Sequence, residues 1–147
     1  MRLRRLAGSV GLAGTVALIG GCMKELPAAP TEVTTGITIY EHAHFTGGSA
    51  LLTTDVSDLA DYKGPCGHSS SGMVNGTYVD TTTYDWNDCI SSIKVAPGWR
   101  ATVYVNPGFH EDWLELTADV PDFALVRGYC EHDTWNDCIS AIRVRPK

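Results

Sequence analysis

The heptads Trp86–Ser92 (WNDCISS) and Trp135–Ala141 (WNDCISA) each crowd an amide, a carboxylate, a thiol and a hydroxyl together, 135 − 86 = 49 positions apart. Metal ligation and nucleophilic catalysis both use such groups, and a duplicated fold would leave the same footprint with no chemistry at all. Calcium takes roughly six to eight oxygens from carboxylates, amides, hydroxyls and backbone carbonyls. Asn87, Asp88 and Ser91 offer three such groups, and Asn136, Asp137 and Ser140 offer three more. The sulfurs of Cys89 and Cys138 are too soft for calcium, so only their backbone carbonyls can join. The competing structural reading is a tight turn in which Asn and Asp bond their own backbone.

Other reactive groups carry less. His42 and His44 alternate on an expected strand and could face one metal, but two histidines two apart more often form an exposed polar face. The stretch Gly67–Gly72 (GHSSSG) has the wrong spacing for a nucleophile elbow and is not followed by a helix pattern. The chain is therefore read as non-enzymatic. Trp113 stands where the other copy has Ser49, and one aromatic is weak support for a carbohydrate surface.

The elements that must position these loops are themselves duplicated. Shifted by 64 residues, 37–66 matches 101–130 at eleven of thirty positions, with Tyr40 on Tyr104, Phe45 on Phe109, Gly64 on Gly128 and Cys66 on Cys130. Beyond the cysteine the offset falls to 49, so the first copy holds 64 − 49 = 15 extra residues between Cys66 and Trp86. That insert is rich in Gly, Ser and Thr and reads as an exposed loop outside the core. Alternating β-branched runs (GITIY, RATVYV, ISSIKV, ISAIRV) predict strands. DVSDLADY and DVPDFALV predict single helical turns. The fold class is all-β: two tandem four-stranded motifs, 37–96 and 99–146, joined too tightly to be separate domains and packed as one β-sandwich.

Residues 1–22 combine Arg2, Arg4 and Arg5 with a short apolar run and end in LIGGC, which reads as an export signal and resembles the lipobox of bacterial lipoproteins. Cys22 is then the lipidation site and residues 23–36 a tether, and the chain is expected to be exported and lipid-anchored to the bacterial cell membrane or outer membrane. Without the three signal arginines the balance is 8 basic against 17 acidic residues, 8 − 17 = −9, which argues against nucleic acid as a partner and suits hard cations. Four cysteines remain in an exported chain, so disulfides are expected. The repeat equates Cys66 with Cys130 and Cys89 with Cys138, so the expected pairs are Cys66–Cys89 and Cys130–Cys138.

These residues resemble the βγ-crystallin family. Tyr40–Gly47 (YEHAHFTG) is similar to its aromatic hairpin, and Asn87–Ser92 (NDCISS) to its calcium motif, both twice and in order. The resemblance implies two Greek keys in one sandwich and two Ca2+ sites, each joining the hairpin of one motif to the Asn-Asp loop of the other. Glu41, His42, Val105 and Asn106 then lie where further carbonyls or a carboxylate could be added. In the second copy Glu111 replaces the hairpin glycine and Ala141 the supporting serine, so that hairpin is expected to relax, leaving the site of Asn136, Asp137 and Ser140 the tighter. Some secreted bacterial metallopeptidase inhibitors share this fold. The resemblance thus also admits an inhibitor using residues 67–85, with a peptidase, or another cell-envelope component, as partner.

Overall fold

The structure is a computed structural model that describes residues 32–147. The expected signal segment, Cys22 and most of the tether lie outside the described residues.

Alternation sets the strands. In β1 (Ile37–His42) Ile37 and Ile39 are fully buried and Thr38 and Tyr40 less so. It pairs antiparallel with β2 (Thr46–Leu52) and β5 (Ser92–Val95), in the order β2-β1-β5. The second motif repeats this with β6 (Trp99–Asn106) between β7 (His110–Leu116) and β8 (Ala141–Pro146). Inward residues of both sheets, including Ile37, Ile39, Ile93, Val103, Ile142 and Val144, close one core with Leu59, Phe123, Trp86 and Trp135. Burying each such side chain contributes about 1.5–3 kcal/mol before entropy is counted.

Each sheet has three paired strands rather than the expected four. The fourth is reduced to a one-residue bridge, and that bridge crosses between motifs. Val56 of the first motif exchanges backbone hydrogen bonds with Ile142 of β8, both at 2.9 Å. Val120 of the second does so with Ile93 of β5, at 2.8 and 2.9 Å. This exchange is the Greek-key crossover, and it laces the two motifs into one compact unit. The expected helical turns follow the crossovers as short 3-10 turns at Leu59–Asp61 and Phe123–Leu125. Asp58 and Asp122 cap them, each accepting from a backbone N–H at 2.9 Å.

Gly64 and Gly128 repeat for a reason of space. A Cβ at Gly64 would sit 2.3 Å from the Asp85 carbonyl oxygen and 2.7 Å from the Trp86 ring. At Gly128 it would sit 2.5 Å from the Trp135 ring. Both buried tryptophans are seated by a backbone that only glycine lets approach.

The insert differs from the expected loop. It is exposed, but it is a β-ribbon formed by β3 (Lys63–Val74) and β4 (Thr77–Asp85), turned at Asn75 and Gly76. Both turn residues have positive φ, 51° and 79°, which the Asn-Gly pair supplies at little cost. The reading from composition missed that β4 (TYVDTTTYD) is strongly β-forming.

Candidate metal-binding loops

Backbone hydrogen bonds join the two Asn-Asp loops to each other. Asp88 N donates to the Ile139 carbonyl at 3.3 Å and Asp137 N to the Ile90 carbonyl at 3.4 Å. Ser91 N bonds the Tyr40 carbonyl and Ser140 N the Tyr104 carbonyl, so each serine is fixed to the hairpin strand of its own motif. The hairpins reach across in turn: His44 N donates to the Pro121 carbonyl and Gly108 N to the Ser57 carbonyl.

This lacing redistributes the ligand sets. Ser91 Oγ donates to Asp137 Oδ1 at 3.1 Å, and Ser140 Oγ donates to Asp88 Oδ1 at 3.4 Å. The oxygens expected as Asn87, Asp88, Ser91 and as Asn136, Asp137, Ser140 thus exchange their serines. Both serines are buried. Asp88 and Asp137 hold φ of 48° and 51°, a left-handed turn that aspartate tolerates better than most residues. The amides of Asn87 and Asn136 donate to the Oδ2 atoms of the aspartates beside them, at 2.7 and 2.6 Å, and so orient the carboxylates. Asp88, Val105, Asn136, Asp137 and His132 line one open depression, which brings the second hairpin strand to the first loop.

The hairpin residues are engaged locally. Glu41 Oε2 accepts from Gly48 N at 2.9 Å. Asn106 Nδ2 donates to Glu111 Oε2 at 2.6 Å. Ser92 Oγ accepts from Phe45 N and donates to the His42 carbonyl, bracing the first hairpin from below. Its counterpart, Ala141, has no hydroxyl, yet the second hairpin does not relax. Glu111 stays at φ 61°, close to the 78° of Gly47, and Asn106 pairs with His110 as His42 pairs with Thr46. The rings beneath also match: Tyr104 and Phe109 are 5.5 Å apart, Tyr40 and Phe45 5.7 Å. Side-chain space explains it. A Cβ at Gly47 would meet the His42 ring at 2.8 Å, whereas Asn106 in that place hydrogen-bonds the longer Glu111 side chain.

Both expected disulfides are present, with Cα atoms 5.9 Å apart for Cys66–Cys89 and 6.1 Å for Cys130–Cys138. Each ties the centre of an Asn-Asp loop to the segment before it. His42 ends β1 while His44 lies in a left-handed turn, so the two do not share a strand face.

Asp85 has a role that motif spacing overlooks. It is buried, accepts from Asn87 N at 3.0 Å and lies 3.2 Å from His68 Nε2, which also lies 3.0 Å from the Asn87 carbonyl. The signal was its place two residues before the loop, where an acidic or hydroxyl side chain bonds forward to the backbone. Thr134 does the same for Asn136 in the second copy.

The donor set suits a hard cation. Burial raises the Asp88 carboxyl above its ordinary pKa, and hydrogen bonds from Ser140 and Asn87, with nearby His68, only partly offset this. A carboxylate partly desolvated in this way gains from a bound cation, which favours the charged form. Among the described residues no three His, Cys, Asp or Glu side chains cluster. Each crossed pair brings one carboxylate and one hydroxyl, oxygen donors of the kind that calcium takes.

No protein-family model matches the chain, and no curated protein matches it. Solved structures do. One, concerning the evolution of the eye lens βγ-crystallin domain fold, is 22% identical, with a TM-score of 0.56 over 81% of this chain and 94% of that one. A βγ-crystallin domain from Flavobacterium johnsoniae is 24% identical over 76% of this chain and 94% of its own, TM-score 0.49. A βγ-crystallin from Ciona intestinalis is 25% identical over 75% and 99%, TM-score 0.49. The fold is thus that of βγ-crystallin domains, two Greek keys in one sandwich.

Proposed function

We propose that the chain is a non-enzymatic, calcium-binding βγ-crystallin-like module, exported and held to a bacterial membrane by lipid on Cys22. The crossed pairs Ser91–Asp137 and Ser140–Asp88 carry the reading. Each joins a hydroxyl from one motif to a carboxylate from the other, so an ion bound there would cross-link the two halves. Calcium would supply charge neutralisation and a rigid oxygen cage; the protein residues orient the carboxylates and hold the loops. One carboxylate per site implies modest affinity, about 10⁻⁴–10⁻³ M as in other extracellular modules. The lipid would present the domain to other components of the envelope.

Calorimetric titration with calcium, paired with thermal melts in calcium and in chelator, tests the calcium half. At calcium near 100 times the dissociation constant, each site adds about 2.7 kcal/mol. A melting temperature indifferent to calcium, with no binding heat, would overturn it. Fractionation of cells expressing the chain and Cys22→Ser tests the anchor: the variant should leave the membrane fraction, and its retention there would refute lipidation at Cys22.

A further inference from the structure

The outer part of the β3–β4 ribbon, from residue 67 to residue 84, has no counterpart in the second motif, which runs from Cys130 to Trp135 without it. Ser69–Val74 and Thr77–Tyr84 are exposed throughout, so neither face of the ribbon is packed. Such a hairpin is marginal in water. This one is fixed at its base by the Cys66–Cys89 disulfide and by the contacts among His68, Asp85 and Asn87. A preorganised element of this kind loses little freedom on binding.

Its sheet has two strands, so among the described residues the outer edge of β4 carries main-chain groups with no ladder partner. Natural edges are blunted by lysine, proline or a bulge. From Thr77 to Tyr84 there is no lysine, no proline and no register shift. Seven of those eight residues are β-branched or aromatic, and the other, Asp80, bears the only charge. Beside the turn, Met73 and Tyr78 face each other across the strands, 70% and 65% exposed.

Charge selects the occupant. A second copy would bring another Asp80 and another body of charge 8 − 17 = −9, and the two would repel. A lipid layer has no use for a shaft of Ser and Thr. We propose that the free edge of β4 takes an extended, lysine- or arginine-bearing strand of a partner protein by β-augmentation, with Met73 and Tyr78 as apolar anchor. Main-chain hydrogen bonds supply the pairing, and Asp80 with the acidic body supplies selection for a basic strand. The inference stands apart from calcium binding.

The test uses the full chain and synthetic ten-residue peptides of alternating Thr and Val, flanked by lysines or by glutamates. The lysine peptide should bind at least about tenfold tighter than the glutamate peptide, a difference of about 1.4 kcal/mol. N-methylation of one set of alternate amides should weaken it at least tenfold, and methylation of the other set less than about twofold, because only alternate amides face the edge. Asp80→Lys should reverse the charge preference while leaving the ribbon intact. Failure of the lysine peptide to bind, equal loss from both methylation patterns, or unchanged binding when residues 68–83 are removed would each overturn the proposal. So would a dimer abolished by that same removal, which would make a second copy the occupant, or phosphatidylcholine vesicle binding lost with Met73→Ser and Tyr78→Ser.

Discussion

Ser91 Oγ donates a hydrogen bond to Asp137 Oδ1 across 46 residues of chain, and 49 positions on, Ser140 does the same for Asp88. The two copies of one motif therefore complete each other rather than themselves. If calcium binds, each ion is held by both motifs, and losing it loosens both.

A double-mutant cycle can detect the crossing without metal. Ser91→Ala with Asp137→Asn should show a coupling of about 0.5–1.5 kcal/mol in stability, typical of a hydrogen-bonded pair. Ser91→Ala with Asp88→Asn should be closer to additive. In calcium titrations the first two changes should erase one and the same binding phase. If Ser91→Ala and Asp88→Asn share a phase instead, each loop binds with its own serine.

The hairpins predict an asymmetric exchange. Glu111 sits at a left-handed φ that costs a non-glycine residue about 1–2 kcal/mol. Glu111→Gly relieves this but loses the bond from Asn106, so its stability should change by less than about 1 kcal/mol. Gly47→Glu has no such compensation, because its Cβ would press on the His42 ring. It should destabilise by about 1–3 kcal/mol in chemical unfolding. Equal effects would show that the space beside His42 is not limiting.

Asp55 links the first crossover to β8. Burial alone would raise its carboxyl, but hydrogen bonds from Arg145 and from Val144 N and the arginine charge outweigh this and hold it below the ordinary value. A carboxyl with its pKa lowered in the folded state stabilises fully above its unfolded value, about 3.9. That contribution fades as pH falls through the folded value. Asp55→Asn should therefore melt lower than the parent at pH 7, and the gap should close in acid. A gap that stays constant or widens as the pH falls from about 3.9 into acid would contradict this.

The ribbon should be dispensable for folding. Replacing residues 68–83 by a short turn, with Cys66, Asp85 and Cys89 retained, should alter stability by less than about 1 kcal/mol, since closure entropy varies slowly with loop length. A chain that no longer folds would show that the ribbon supports the core.

The Cys130–Cys138 bond should matter more. It closes a loop of nine residues, for which the chain-entropy treatment gives on the order of 2–3 kcal/mol. Cys130→Ser with Cys138→Ser should lower the denaturation midpoint accordingly. A loss well below 1 kcal/mol would mean that the loop is already ordered by Trp135 and Gly128.

By itself the sequence determined the duplication, the all-β class, the cysteine pairs and the loops that gather oxygens. Each of these is written in local order: the alternation of Ile37 and Ile39, the spacing of Cys130 and Cys138, the repeated Asn-Asp pair. Tertiary structure decided who faces whom. Nothing local tells Ser91 that its carboxylate is Asp137 rather than Asp88, because that choice follows from the Val56 and Val120 crossovers, which swap a segment between sheets. Nothing local shows that Glu111 can keep a glycine's conformation, since the space it needs depends on Asn106 across the hairpin. The ribbon's pairing was legible in the residues of β4 and in Asn75-Gly76, but composition hid it. Periodicity fixes which face a side chain takes; only the packed chain, closing contacts between residues some fifty positions apart, fixes its partner.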